Sequence, residues 1–117
     1  MDRKNRLNNS LDIQRVRRSG KSIGHPLFVL LFTGDKNVTN APVGVIASKA
    51  VGGAVERNRA KRVLRSAATL LHENIRPDCM ILLIARKAIL DHDTPEVTEI
   101  LADQLKKAGI YRETSQE

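Results

Sequence analysis

Residues 43–65, "VGVIASKAVGGAVERNRAKRVLR", run from a short apolar strand through a glycine pair into a helix with a basic head. The change from a continuous apolar run to spacings of three and four sets a strand, a turn and a helix at the middle of the chain. With about 100° per residue and Arg57 at the origin, Lys61 falls at about 40°, Arg65 at about 80°, Asn58 at about 100° and Arg62 at about 140°. These five make one stripe. Ala60, Val63, Leu64, Ala67, Leu70 and Leu71 occupy the arc from about 220° to about 340°, which is expected to pack on a sheet. Arg59, at about 200°, stands on the border between the two.

The stripe is costly for a helix that only faces water. Arg57, Lys61 and Arg65 are like charges at i,i+4, each pair unfavourable by about 0.2–0.5 kcal/mol, where a solvated face would mix signs. Positive charge near a helix N-terminus also opposes the macrodipole. Both costs vanish when phosphates occupy the surface. Asn58 is a poor helix former whose amide donates and accepts at once, which suits a base edge or a ribose hydroxyl between phosphate contacts. Arginine outnumbers lysine here, favouring bidentate phosphate geometry and stacking over bare charge.

Working outward, Ser10 is the expected N-cap of a short helix through "LDIQRVRRS", with Leu11, Ile13 and Val16 on its apolar side and Gly20 as its stop. "PLFVLLFTG" reads as a strand with Phe28, Leu30 and Phe32 on one face and Val29 and Leu31 on the other. It is expected to pair with the strand from Val43 as an antiparallel hairpin across "GDKNVTNAP". "PDCMILLIARKA" is the most apolar strand and so the central one. A last helix starts at Asp93 or Thr94, carries Val97, Ile100, Leu101 and Leu105, and stops at Gly109. The order α-β-β-α-β-α fits an α+β protein, a two-layer α/β sandwich with its helices on one sheet face.

The 117 residues are expected to form one domain, with 1–9 and 110–117 as flexible tails. Lys and Arg number 20 against 13 Asp and Glu, a net charge of +7, which favours a polyanionic partner. Nucleic acid comes before membrane, because no amphipathic segment carries a bulky aromatic face. The charge is concentrated in residues 1–21 and 49–65, while residues 88–117 are acidic on balance. Aromatic residues make up only 3% of the chain, low for gripping single strands by stacking. Cys79, the one cysteine, excludes an intramolecular disulfide and reads as a buried small hydrophobe. With no signal peptide and no long apolar stretch, a soluble cytoplasmic protein is expected.

Three apparent motifs carry no chemistry. "SGKS" at Ser19 to Ser22 lacks the first glycine of a P-loop, with Arg15 in its place, and it leaves a helix for a strand. "DHD" at Asp91 to Asp93 has no second His or Cys at ligand spacing and reads as a helix cap. His25 and His72 pair with no nucleophile or carboxylate at a catalytic spacing, so the chain alone is not expected to hydrolyse anything.

The central stretch closely resembles the protein subunit of bacterial ribonuclease P. Ser48-Lys49, Val51-Gly52, Ala54-Val55, Arg57-Asn58-Arg59 and Lys61-Arg62 with Arg65 match its signature. "RL" near the start, "RVRRSGKSI", "IAR" at Ile84 to Arg86 and the closing "LKKAGIY" sit at the expected distances. The resemblance implies a ribosomal-protein-like sandwich with a left-handed crossover. It implies partnership with a catalytic RNA and with precursor tRNA, whose 5′ leader is removed, and no protein partner or membrane. Mg²⁺ serves the RNA-catalysed reaction, and no cofactor is assigned to the protein itself. Lys49, Arg57, Asn58, Arg59, Lys61, Arg62 and Arg65 would contact RNA. Ile13, Arg17, Val29, Leu31, Ser48 and Ala50 fall at the leader cleft. There the chain departs from the family, which usually has aromatics at Ile13 and Arg17, often a tyrosine at Leu31, and a lysine at Ala50. Contact with the leader is expected instead from Arg17, Lys49 and an apolar wall of Val29 and Leu31. A general structured-RNA binder of ribosomal type is the alternative, and an independent nuclease a third class.

Overall fold

The computed structural model describes residues 5–113. Helix α1 (Ser10–Ser19) leads into β1 (Lys21–Gly24), β2 (Phe28–Gly34) and β3 (Val43–Ile46). Helix α2 (Ala54–Leu71), β4 (Cys79–Ala85) and α3 (Thr94–Ala108) follow. The result is an α+β protein around a mixed sheet in the order β1-β2-β4-β3.

β4 takes the centre because its side chains are apolar on both faces; every one but Ile84 is buried. β2 flanks it antiparallel and β3 flanks it parallel, so α2 is the crossover joining β3 to β4. The expected hairpin between β2 and β3 is therefore incorrect: β4 lies between them. Residues 35–42 cross the end of β4 instead, where Asp35 N–H donates to the Asp78 carbonyl at 2.8 Å and Ala41 N–H to the Pro77 carbonyl at 3.0 Å. His72 Nε2 reaches both the Asn40 and Ala41 carbonyls, at 2.8 and 3.2 Å. Two acceptors on one nitrogen place the ring proton there. The "KSIG" segment, to which the sequence reading gave no element, is β1, antiparallel to β2 with Ser22 opposite Leu31 and Gly24 opposite Val29.

The two sheet faces have separate cores. Phe28, Leu30, Phe32, Ile81 and Leu83 meet α2 and α3 through Ala60, Leu64, Ala67, Leu101 and Leu105. The opposite face carries Met80 and Leu82, covered by Val16 of α1 and by Leu7. Helix α1 thus departs from the expectation that all helices share one face. Its N-cap is Asn9, whose side chain accepts from Leu11 and Asp12 N–H, rather than Ser10. Leu11 is 74% exposed, and Ile13 and Val16 alone form the inward side.

Neither tail assignment holds within the described residues, and residues 1–4 and 114–117 lie outside them. Leu7 is 5% exposed, and its N–H donates to the Val43 carbonyl at 2.9 Å. Gly44 makes room for this segment, since a Cβ there would lie 2.7 Å from the Leu7 carbonyl oxygen. At the other end Ile110 is buried and Tyr111 bridges Ile75. Asp93 caps α3 and Gly109 ends it in the left-handed conformation, both as the sequence indicates. Cys79 is buried; burial, then the Asp78 carboxylate, pushes its thiol up from the ordinary range.

Candidate nucleic-acid interface

A tight turn sets where α2 begins. Val51 N–H bonds the Ser48 carbonyl at 3.0 Å, Gly52 N–H bonds the Lys49 carbonyl at 3.1 Å, and Ser48 Oγ accepts from Ala50 N–H at 3.3 Å. Gly52 has φ +148, where a Cβ would also lie 2.9 Å from the Glu56 Cβ, so glycine is required on both counts. Glu56 Oε1 then accepts from Gly53 N–H at 2.9 Å. The one carboxylate near the stripe is thereby committed to the helix start, where it complements the macrodipole.

The rest of the stripe is cationic and unneutralised. Asn58 and Arg62 are exposed, while Arg57, Lys61 and Arg65 are half-buried along their stems. Among the described residues, the ion pairs are Arg15 with Asp35, Arg76 with Asp78, and His92 with Glu96, so no stripe residue is paired. Arg59 is brought to another surface. It lines a groove with Asp91, Asp93 and Glu96 at the junction of α2 and α3, outside the stripe. Leu70, expected to pack inward, is 66% exposed, and with Thr69 it extends the outward face beyond Arg65.

A second surface lies on the α1 side of the sheet. Strand register aligns Val29, Ile84 and Ile46 in one row across β2, β4 and β3, with Leu31 opposite Leu82 in the next. Val16 and Leu7 cover Leu82, whereas Val29, Ile84 and Ile46 stay half-exposed. Ile13 packs at the border of this row, and Arg17 follows one turn later, exposed. Ser48, Lys49 and Ala50, also exposed, continue from the end of β3. The structure thus brings Ile13, Val29 and Leu31 to one face with Arg17 beside them, and adds Ile46 and Ile84. Nothing in the sequence marks those two until the register aligns them with Val29. Arg15 is withdrawn from this surface by its contact with Asp35. The Asn37 N–H, and then the Arg15 guanidinium, hold the Asp35 carboxyl below its ordinary value.

Among the described residues, no group of three or more His, Cys, Asp or Glu is placed to hold a metal ion, and no helix is long and apolar enough to cross a membrane. The fold and surfaces define a class: a small basic α+β protein with a cationic helix face and a half-exposed aliphatic row on the opposite sheet face. The ribonuclease P family profile matches residues 1–109. The ribonuclease P protein component of Exiguobacterium is 37% identical over 112 residues, covering 96% of each chain. That of Clostridium novyi is 33% identical over 112 residues, covering 95% of this chain and 99% of its own. The Staphylococcus aureus ribonuclease P protein superposes with a TM-score of 0.80 at 29% identity, over 92% of this chain and 98% of that one. The Thermotoga maritima protein does so with a TM-score of 0.76 at 27% identity, over 87% and 96%. The chain belongs to the bacterial ribonuclease P protein family, the protein component of the ribonucleoprotein endonuclease that matures the 5′ ends of tRNA.

Proposed function

We propose that the protein works as a two-sided adaptor within ribonuclease P. The α2 stripe of Arg57, Asn58, Lys61, Arg62 and Arg65 docks on the catalytic RNA. The cleft on the α1 side of the sheet holds the single-stranded leader, with Val29, Leu31 and Ile13 as an aliphatic wall and Arg17, Ser48, Lys49 and Ala50 along its rim. The observation that carries this reading is the stripe itself: four cations on one helical face, none of them paired with a carboxylate among the described residues.

The cleavage chemistry belongs to the RNA and its Mg²⁺ ions. Among the described residues the carboxylates do not gather into a donor set, and several are already engaged: Asp35 is bonded to Arg15 and the Asn37 N–H, Glu56 to the Gly53 N–H, and Asp93 and Glu96 to each other's backbone. What the protein contributes is neutralisation of phosphate repulsion and alignment of the leader, so that binding energy replaces part of the entropic cost of presenting the scissile bond. Aliphatic side chains hold bases without a stacking plane, so the cleft grips by shape and charge. The protein acts in the cytoplasm and needs no further protein partner. Reconstitution tests the reading: with a bacterial ribonuclease P RNA at low Mg²⁺, the protein accelerates precursor tRNA cleavage. Absence of stimulation would leave a general structured-RNA binder as the better account.

A further inference from the structure

Helix α1 lies across the strands rather than along them. Just before it, Leu7 N–H is fixed on the Val43 carbonyl at 2.9 Å. Just after it, Gly20 sits so close to β2 that a Cβ would lie 2.8 Å from the Phe32 carbonyl oxygen. Val43, Ile81 and Phe32 share one row of the sheet, so the helix spans β3, β4 and β2 as a bar. Two of its side chains, Val16 and Ile13, pack on the surface beneath. With about 100° per residue and Val16 pointing at the sheet, Ile13 falls at about 60° and Arg17 at about 100° on one flank, and Arg15 at about 100° on the other. Arg15 reaches Asp35, which follows the end of β2 on the side of the bar away from Val29, Ile84 and Ile46. Ile13 and Arg17 are thereby left on the flank that faces the cleft.

A bar held by two aliphatic contacts is free to roll about its axis, and Arg15 is the side chain placed to stop it. The Asp35 side chain is only 15% exposed, and its residue is pinned: Asp35 N–H donates to the Asp78 carbonyl at 2.8 Å, and Asn37 N–H donates to Asp35 Oδ1 at 2.8 Å. The acceptor is therefore built into the connection between β2 and β3, unlike an exposed ion pair of two mobile chains, which contributes little. Among the described residues Arg17 and Arg18 form no ion pair, so Arg15 is the α1 cation committed to the protein itself. A roll of about 20° would carry a side chain about 5–6 Å from the helix axis by about 2 Å, enough to break a hydrogen bond to phosphate. We infer that the Arg15–Asp35 pair sets the roll of α1 and so aims Ile13 and Arg17 at the leader, which makes Arg15 and Asp35 positioning residues for precursor tRNA. This rests on the cleft being the leader site.

Asp35→Asn separates this from bare charge. The amide keeps an acceptor for the Asn37 N–H but loses the ion pair, and it makes the protein more cationic, so charge alone predicts equal or tighter RNA binding. With the protein assembled on a bacterial ribonuclease P RNA, Asp35→Asn should lower affinity for precursor tRNA about three- to tenfold and leave mature tRNA unchanged. Arg15→Gln should do the same, and the double variant should lose no more than either single. Arg15→Lys, which keeps the charge and one bond to Asp35, should retain most of the preference for precursor. Hydrogen exchange should quicken in the α1 amides and not in those of α2, which also verifies that each variant is folded. Loss of preference in Arg17→Ala beside an unchanged or raised one in Asp35→Asn would overturn the inference and leave the cleft standing. A loss confined to Arg15→Gln would mean a direct charge contact, and equal losses for both tRNA forms a merely structural pair; either refutes the inference. An unchanged preference in Arg17→Ala would remove the cleft itself, and the inference with it.

Discussion

Gly44→Ala tests whether the N-terminal segment is part of the fold. The added Cβ would lie 2.7 Å from the Leu7 carbonyl oxygen, 3.1 Å from Leu82 Cδ1 and 3.3 Å from Leu7 Cβ. The closest neighbour is main chain, which no rotamer change can withdraw, so the segment must move off β3. That movement exposes the Leu7 side chain, worth about 1.5–3 kcal/mol, and breaks its 2.9 Å bond to Val43, worth about 0.5–1.5 kcal/mol. The expected destabilisation is about 2–4 kcal/mol, a fall in Tm of about 10–25 °C for a domain of this size. Gly24→Ala is the control, because a Cβ there meets nothing within 4 Å. Both substitutions reduce unfolded-chain entropy alike, so the difference between them isolates the clash. Urea denaturation gives that difference, and hydrogen exchange at the Leu7 amide locates it. Equal midpoints for the two variants, or a Leu7 amide still protected in Gly44→Ala, would refute the reasoning.

Four further outcomes are expected. Gln104 is 4% exposed on α3 with no protein partner for Oε1, so Gln104→Met should raise stability by about 1 kcal/mol in urea melts; a loss would mean the amide is satisfied. The Cys79 thiol, buried and shifted upward, should resist a thiol reagent at neutral pH in native protein and react once urea unfolds it. Asp35 has a depressed folded pKa, so its contribution is full above the unfolded value of 3.8 and is lost as pH falls below it; Asp35→Asn should flatten the acid limb of a stability profile. Arg65→Ala should weaken assembly with the RNA, whereas Arg17→Ala should chiefly reduce the preference for precursor over mature tRNA. Equal losses for both tRNA forms in the Arg17 variant would remove that residue from the leader cleft.

Local chemistry was legible in the sequence and long-range pairing was not. The Asp93 cap, the Gly109 stop, the central strand and the cationic stripe each announce themselves through a few neighbouring residues. The β2–β3 hairpin failed because a turn-rich connection looks the same whether it joins paired strands or crosses the end of a third. β1 was missed because "KSIG" is short, polar and at an edge, with no alternation to show. Leu7 was missed because the cavity that receives it is made by a missing side chain at Gly44, far along the chain. Leu70 misled because a position at the border of a packing arc turns inward only where a neighbouring element reaches it. The residues of the stripe could be named in advance; Ile46 and Ile84 could not, since only the register with Val29 makes them a surface.

The central place of β4 also bears on how the protein is made. β2 and β3 emerge from the ribosome well before residues 79–85, and until those residues arrive β2 has only the short edge strand β1 and β3 has no strand of the sheet to pair with. A two-stranded β1–β2 ribbon, a lone apolar strand and a cationic helix must therefore wait for a late insertion, and non-local pairing of this kind is slow. A chain stopped short of β4 would present a cationic helix with no sheet beneath it. Synthesis through residue 85 is the point at which the helix gains the sheet that orients it.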